Sequence, residues 1–464
     1  MMKGYPNREG AMCVLRLSRL IVLGIALWSA TAEAATYYVS TSGNDANNGT
    51  STNTPFRTIG KAASVVNAGD VVNVRGGTYS ESVFVTRGGT LGNPVTFQNY
   101  QSEVVTLLGP SASNPGITIT VPNVTIDGLR VTGFTEGGIA LQGMSNSSSY
   151  TTIKNCQGYG NSAGGNAAGI RVIDQYLGTL EIANCLFHDN VGGGDQGNNT
   201  GITIFMDQMT SGTSFIWVHN NEVYNEGTGI KYKHAAPATA NATATFELNL
   251  VHDMIFNGYG CLNSEQQNTI IRYNICYNTP IYNPGIDVGP ITALGNCSGC
   301  QVHHNTVYNA ASGLTVVTGT VNTSVHDNIW YTNAFDGAST NGAGLVLQDV
   351  LSSSILTASA DFFAGGAINR ALVSGWNIFP VFLSFAGLPA GLETSAKSGN
   401  PLFVNPTGSP PDFHLQAGSP ARGAGTSGSN MGAYATGTEV IGPNGLGGGG
   451  GGPLPSPPGN LRVQ

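Results

Sequence analysis

Charged side chains are scarce in this chain and concentrate in one stretch. Only 9% of the 464 residues are charged, with 18 Lys and Arg against 26 Asp and Glu. The basic candidates in this stretch are Arg171, Lys231, Lys233 and His234, and the acidic candidates are Asp174, Asp207, Glu265 and Asp287. In so uncharged a sequence, this stretch is the best candidate for a site that carries out chemistry.

These residue types suit proton abstraction from an anionic substrate. Lys231 has Lys233 two residues away, and a neighbouring positive charge favours the neutral amine that a general base needs. Arg171 stays protonated and suits charge stabilisation, while His234 follows on the same strand. Carboxylates are ligands that Ca²⁺ prefers, which assigns Asp174, Asp207, Glu265 and Asp287 to a calcium site. Such a set suits β-elimination from a uronic-acid polymer.

The candidate residues lie on a repeated phrase of Gly, an apolar residue, any residue and usually another apolar residue. Copies begin at Gly138, Gly169, Gly201, Gly229, Gly285, Gly313 and Gly344, with a weaker copy at Gly260. Apolar and polar residues alternate as in a β-strand, and Gly is expected to supply the positive φ of a sharp corner. The polar positions then share one outer strip, formed by Arg171, Thr203, Lys231, Lys233, Ser264 and Asp287.

A second phrase places Asn before three residues centred on an apolar one, followed by Asn or Asp. Clear copies begin at Asn221, Asn249, Asn274 and Asn305, and looser copies at Asn99, Gly128, Asn155, Asn184 and Asn328. Their spacing is typical of one coil of a β-solenoid, and two phrases on one period predict two strands per coil. The recurring Asn indicates a stacked amide ladder or, alternatively, a row of turn residues.

The two phrases together predict an all-β fold, a right-handed parallel β-helix that spans residues 35–440. A solenoid needs covered ends. Thr54-Pro55, followed by apolar residues at helical spacing up to Val66, predicts an N-terminal capping helix with an N-cap and a proline in its first turn.

The chain ends have compositions unlike that of the repeat region. Residues 1–34 contain the basic, apolar and small-residue regions of an export signal, with cleavage expected after Ala34. No later stretch is apolar for the roughly 20 residues that a membrane helix needs. Residues 441–464 are rich in Gly and Pro, as in a linker or a truncated anchor tail. We expect a monomer that is secreted or lies at the cell surface.

Six cysteines remain after the expected cleavage, and their pairing stays open. Cys261 and Cys276 occupy positions that other coils fill with apolar residues, so they are interpreted as small core residues. Cys297-Ser-Gly-Cys300 fits a local disulfide or half of a zinc site, although no second ligand pair completes a metal set.

The region after residue 35 resembles the opening of secreted β-helix polysaccharide lyases, a superfamily that includes pectate, alginate and chondroitin lyases. The matching segments are Tyr37–Asp45, Asn48-Gly-Thr, Thr54-Pro-Phe, Ala68-Gly-Asp and Arg75-Gly-Gly-Thr-Tyr79. The resemblance implies that a Lys or Arg acts as the base. The sequence departs from pectate lyases of this type by lacking their Asp-Asp pair, and it lacks the Asn-Thr-Asp and Gly-His-Gly segments of β-helix polygalacturonases.

The C-terminal part resembles the closing coil of bacterial surface β-helix proteins that carry a variable anchoring tail. The matching segments are Asn400-Pro-Leu-Phe-Val404, Asp412-Phe-His-Leu415, Gly418–Gly425 and Met431-Gly-Ala-Tyr434. This resemblance implies attachment at a cell surface.

Two functions remain open: a polysaccharide lyase, and a non-catalytic cell-surface or carbohydrate-binding β-helix. Both imply an acidic polysaccharide as partner. Nucleic acid is not expected, because the sequence has no basic block or basic stripe interleaved with aromatic residues. A lyase should hold Lys231 in a groove, whereas a binding protein should lack convergent charge.

Overall fold

The computed structural model describes most of the chain between residues 33 and 443. The described ranges are 33–109, 114–145, 149–161, 167–192, 198–233, 241–255, 258–279, 283–289, 297–333, 341–348, 356–375 and 380–443. Residues 1–32 of the expected export signal, the candidate site residue His234 and the tail from residue 444 lie outside the described residues.

Within the described ranges, three sheets of twelve strands each form a parallel β-solenoid, which confirms the predicted fold class. Sheet A contains Thr36–Val39, Val71–Val74, Val95–Asn99, Val124–Asp127, Tyr150–Lys154, Gly178–Ala183, Thr213–His219, Asn241–Glu247, Thr269–Arg272, Gln301–His303, Thr323–His326 and Leu356–Ser359. Sheet B contains Gly77–Tyr79, Val105–Leu108, Leu129–Thr132, Gln157–Tyr159, Leu186–His188, Glu222–Tyr224, Leu250–His252, Ile275–Tyr277, Thr306–Ala310, Ile329–Thr332, Phe362–Gly365 and Lys397–Ser398. Sheet C contains Val83–Val85, Ile117–Ile119, Ile139–Met144, Ala168–Tyr176, Thr200–Phe205, Thr228–Lys233, Gly260–Ser264, Pro284–Val288, Ser312–Val316, Ala343–Leu347, Leu372–Ser374 and Val381–Leu383, the last of which is antiparallel.

Each full coil therefore has three strands, and the prediction of two was wrong. The Asn phrase corresponds to sheet B and the Gly phrase to sheet C. The strands of sheet A, such as Thr213–His219 and Asn241–Glu247, have no recurring residue that marks where they begin. Their alternating burial gives them a β-strand period, but nothing in the sequence separates them from the phrase that follows.

The glycines of the clear copies of the sheet C phrase provide space inside the coil rather than a positive φ, whereas Gly260 of the weaker copy has a φ of 84°. A Cβ on Gly201 would lie 2.4 Å from Cγ1 of Val223, and one on Gly229 would lie 2.3 Å from Cγ1 of Val251. Neither glycine has a positive φ. Glycine is needed here because sheet C passes close to the inward side chains of sheet B, so the expected reason for these glycines was wrong.

The Asn ladder is confirmed at the corner between sheets A and B. The side-chain amide of Asn221 donates to Oδ1 of Asn249 at 3.0 Å, and Asn249 donates to Oδ1 of Asn274 at 3.0 Å. The same pattern continues through Asn305 and Asn328 and ends at Asp361. These bonds satisfy buried amides at every turn of the chain.

Of the looser copies of the Asn phrase, Gly128, Asn155 and Asn184 belong to a second row, one residue before the ladder, whereas Asn328 lies in the ladder itself. Asn155 and Asn184 have φ of 54° and 53°, as turn residues do, and the cysteines that follow them occupy the ladder positions. Asn tolerates this left-handed conformation better than most residues. Both interpretations of the recurring Asn are thus correct, each for a different row.

The N-terminal capping helix is present but begins later than predicted. It spans Ile59–Val65, with Thr58 rather than Thr54 as its N-cap; the Thr58 hydroxyl accepts a hydrogen bond from the amide of Lys61 at 3.1 Å. Ile59, Ala62 and Ala63 are buried and join the main core cluster. Among the described residues, no helix is long and apolar enough to cross a membrane.

The residues after the last coil form a closing segment instead of another coil. Phe403–Asn405 and Asp412–Leu415 pair as an antiparallel hairpin whose aromatic residues pack on the outer face of sheet B. The chain then runs back along the corner between sheets A and B, where the Gly432 amide donates to Asp327 O at 2.7 Å and the Gly442 amide donates to Leu248 O at 2.9 Å. We call residues 425–443 the return segment.

Candidate functional site

The predicted outer strip exists on sheet C, with one correction. Arg171, Thr203 and Lys231 lie in register in successive coils, followed by Asn263 and Asp287. Since the flanking Ile230 and Tyr232 belong to the core, Lys231 lies on the outer face. This part of the prediction agrees with the structure.

Ser264 does not belong to the outer strip. It pairs with Tyr232 and Val288, both core residues, and its hydroxyl lies 2.8 Å from that of Thr269. In the Gly260 copy, the outward residue comes three positions after the glycine instead of two, because Gly260 aligns with Thr228 rather than with Gly229. That extra residue shifts the period-2 alternation and puts Asn263 outside in place of Ser264.

Lys231 is covered, although it was expected to face solvent. Its side chain has 0% exposure, its ammonium lies 3.1 Å from Oδ1 of Asn198 and 3.7 Å from the ring centre of Tyr259. The aromatic face and the amide oxygen both interact favourably with a cation. Lys233, two residues on, lies 6.0 Å from the same ring centre and 5.8 Å from that of Phe205.

Asp287 and Asn263 bring unsatisfied polar atoms to the outer strip. Oδ1 of Asp287 and both amide atoms of Asn263 are buried and have no hydrogen-bond partner within the described ranges. Burial, assisted by the nearby charge of Glu265 and opposed by that of Lys231, raises the pKa of Asp287 to about 8. The Asp287 carboxyl is therefore mostly protonated at neutral pH. Buried polar atoms without partners are unusual and suit contact with a ligand.

Glu265, which lies in the coil after that of Lys231, is a further buried residue near Asp287. It is buried, follows directly after the strand Gly260–Ser264, and its amide donates to Tyr232 O at 2.9 Å. Its charge contributes to the pKa shift of Asp287, so the two carboxyl groups are neighbours. We call Lys231, Asn263, Glu265 and Asp287 the sheet C cluster.

The other predicted site residues lie further away. The guanidinium of Arg171, two coils before Lys231, donates to Glu136 O at 3.1 Å and pairs with the Glu136 carboxylate at 3.4 Å. Asp174 accepts a bond from Gln142 at 3.4 Å, and Asp207 is exposed in a turn. None of the four expected calcium ligands belongs to a group of three whose ligating atoms converge, as far as the described residues extend.

Three contributors to the cluster were missed from the sequence. Asn263 could have been found by counting the outward position from the register of Gly260. Tyr259 and Asn198 come from segments that precede strands, where no repeat fixes their placement. Their approach to Lys231 depends on how the corners fold.

The six cysteines form two disulfides and one reduced pair. Cys261 and Cys276 are buried in the core, as interpreted, and are bonded to each other, a pairing that the sequence left open. Cys297 is bonded to Cys300, which is the local disulfide among the two alternatives for that segment. Cys156 and Cys185 are free and buried. The sulfur atoms of the other four cysteines are bonded in pairs, so Cys297 and Cys300 do not offer free thiols to a zinc ion.

Comparison with known proteins gives one family match and several partial similarities. Residues 37–246 match the family model described as "Pel9A-like, right handed beta helix region". The uncharacterized protein YwoF of Bacillus subtilis (strain 168) is 38% identical over 128 residues, 25% of this chain; the match spans about a quarter (27%) of that curated relative.

Solved structures with similar architecture are distant in sequence. The crystal structure of pectate lyase Pel9A has a TM-score of 0.48 and 17% identity, covering 87% of this chain and 96% of that one. A GH136 lacto-N-biosidase from Eubacterium ramulus has a TM-score of 0.39 and 12% identity, covering 71% and 68% respectively. Similarities at this level do not indicate what this chain binds or cleaves. Residues 37–246 are therefore similar to a Pel9A-like right-handed β-helix region, and in the structure they form part of the three-sheet solenoid.

Proposed function

We propose that this protein is a secreted polysaccharide lyase that cleaves a uronic-acid polymer by β-elimination, with Lys231 as the base. The observation that carries the proposal is the sheet C cluster, where Lys231 lies in one row with Asn263 and Asp287, whose polar atoms lack partners in the described part of the chain. The resemblance of the N-terminal region to β-helix lyases supports it. We infer export from the signal-like residues 1–34.

The reaction needs few groups. The neutral amine of Lys231 takes the C5 proton of a uronic-acid residue, and the electrons of that C–H bond form the C4–C5 double bond. The C4–O bond breaks as its oxygen receives the proton back from the Lys231 ammonium, which restores the neutral amine. The substrate carboxylate must be stabilised while charge develops on it. The protonated carboxyl of Asp287 and the amide of Asn263 are hydrogen-bond donors suited to this role.

A calcium ion is compatible with part of the cluster. Glu265, Asp287 and the amide oxygen of Asn263 supply oxygen atoms of the kind that Ca²⁺ prefers, whereas Asp174 and Asp207 lie elsewhere. When bound, Ca²⁺ would neutralise the substrate carboxylate. Its positive charge would also relieve the repulsion between Glu265 and Asp287.

Replacing Lys231 tests the proposal. Because Lys231 is covered by Tyr259, Lys231→Met is the variant of choice: it keeps the length of the side chain and removes the amine. On the polymer that the wild type degrades, formation of the unsaturated, ultraviolet-absorbing product should fall about 10²–10⁴-fold. Lys233→Met, on the same strand, is the matched control and should lose much less activity.

Circular dichroism and melting curves must show that both variants fold. Wild-type protein that produces unsaturated ends, with Lys231→Met equally active, would contradict the assignment. Absence of unsaturated product from every member of a panel of uronic-acid polymers would contradict the lyase function itself.

A non-catalytic carbohydrate-binding function is favoured by a different observation. A polar groove of about 580 Å³ lies along the corner between sheets A and B, away from the sheet C cluster, and is lined by residues that include Glu103, Asp127, Arg130 and Gln157. Binding of a polymer that is lost in Arg130→Ala but retained in Lys231→Met, with no cleavage by the wild type, would establish this function instead.

A further inference from the structure

The return segment covers a group of histidine and aspartate side chains that the proposed function does not use. We propose that His304, His326 and Asp327 form a binding site for Zn²⁺, which fastens the return segment to the solenoid. In the described ranges, these three residues are the one group of three His, Cys, Asp or Glu whose ligating atoms all lie within 4.8 Å of one another.

The repeat brings these side chains together. His303 and His326 are in register on neighbouring strands of sheet A, and their rings stack at 4.9 Å. The next residues, His304 and Asp327, occupy the left-handed corner position, with φ of 53° and 59°. Equivalent positions of successive coils are about 4.8 Å apart, so consecutive His-His and His-Asp pairs place two imidazoles and a carboxylate side by side.

The donor atoms are spaced as a small cation requires. Nδ1 of His326 lies 2.8 Å from Oδ2 of Asp327, and Nε2 of His304 lies 3.7 Å from the same oxygen. Ligand atoms of a tetrahedral zinc ion are about 3.3 Å apart, a value between these two distances. Two imidazoles with one carboxylate favour Zn²⁺ over Ca²⁺ or Mg²⁺, which prefer oxygen ligands alone.

The surrounding contacts orient the donor atoms. Nδ1 of His304 lies 3.0 Å from Nδ1 of His303. If Nδ1 of His304 carries the proton and donates it to His303, the lone pair on Nε2 of His304 is directed at the site. The other Asp327 oxygen, Oδ1, accepts the Thr426 amide at 2.8 Å. Outer hydrogen bonds of this kind accompany metal ligands in proteins.

The return segment supplies the fourth side of the site. Oγ of Ser429 lies 3.1 Å from Nε2 of His304 and donates its own hydrogen to Thr426 O at 3.0 Å, which leaves a lone pair for a cation. In the preceding coil, the Arg272 guanidinium is paired with the Glu247 carboxylate at 2.6 Å. A bound ion would therefore link two coils to the return segment.

Zn²⁺ titration of the full-length protein, stripped with chelator, tests the site by isothermal calorimetry and by melting curves. We expect one Zn²⁺ per chain, a rise in melting temperature on binding, and no displacement by excess Ca²⁺. His304→Gln and His326→Gln should abolish binding, and His303→Ala should weaken it about 10–100-fold. Glutamine keeps a hydrogen-bonding group in place, and circular dichroism of the ion-free variants shows whether they fold.

His188→Gln is the matched control. His188 also lies next to an aspartate, with Nδ1 2.7 Å from Oδ2 of Asp189, but its other nitrogen contacts Gln157 at 2.9 Å instead of a second histidine. This variant should bind Zn²⁺ like the wild type. The site is overturned if the wild type binds no Zn²⁺, if His304→Gln and His326→Gln bind as tightly as the wild type, or if His188→Gln loses binding equally.

Discussion

Asp287 is a residue of the sheet C cluster whose pKa links the stability of the fold to pH. Its pKa of about 8 in the folded protein, caused first by burial and then by Glu265, exceeds the value of about 3.9 for an unfolded aspartate. The folded state therefore binds the proton more tightly. The stabilisation is complete below about pH 4 and is lost as the pH rises through about 8.

Asp287→Asn should remove this dependence. Asparagine keeps the size and a hydrogen-bonding side chain but cannot ionise, so the melting temperature of the variant should fall less than that of the wild type between pH 5 and pH 9. Melting curves at a series of pH values measure this. Asp207→Asn, in an exposed turn three coils before Asp287, is the control and should behave like the wild type. Identical pH profiles of Asp287→Asn and wild type would contradict the buried, protonated state of Asp287.

Between elements, the separation of sheets B and C follows one packing rule. At several positions where sheet C has glycine, the facing residue of sheet B has a branched or aromatic side chain, as in Gly169 with Phe187 and Gly229 with Val251. In the next coil, Gly260 aligns with Thr228, so the residue after it, Cys261, occupies the position of Gly229. Cys276 aligns with Val251. The disulfide Cys261–Cys276 thus replaces the Gly and Val pair at the same place in the core.

This equivalence leads to a prediction for the disulfide. Cys261→Gly combined with Cys276→Val recreates the neighbouring pair, so packing should survive and only the cross-link be lost, at a cost of about 3 kcal/mol for a loop of this length. Cys261→Val with Cys276→Gly has the same composition in the opposite order and should be less stable still, because sheet C has no room for valine. Thermal melts compare the two. Equal stability of both double variants would refute the packing rule.

Strands that begin near a recurring, distinctive residue could be predicted from the sequence. Strands without such a residue could not. Sheets B and C follow Asn and Gly, so their rows could be aligned, whereas sheet A was overlooked. For the candidate site, the row of Arg171, Lys231 and Asp287 could be predicted from alternation alone. The burial of Lys231 could not, because Tyr259 reaches it from a corner whose path no repeat determines.

For the whole molecule, a solenoid in which coils contact mainly their neighbours should tolerate the loss of an internal coil better than damage to its end. Gln157 is in register with Arg130, so deletion of residues 130–156 joins equivalent points of two coils. The shortened protein should keep a β-sheet circular-dichroism spectrum and unfold in one transition.

Ala62→Asp should be more harmful, although it changes a single residue. Ala62 has 0% exposure in the capping helix, and a carboxylate there would be buried against the core with no partner, which costs several kcal/mol. Because the cap covers the first coil, its loss exposes apolar residues that no other coil can cover. Melting temperatures and aggregation of the two variants are compared to test this. If the coil deletion unfolds while Ala62→Asp remains as stable as the wild type, the nearest-neighbour description of this fold is contradicted.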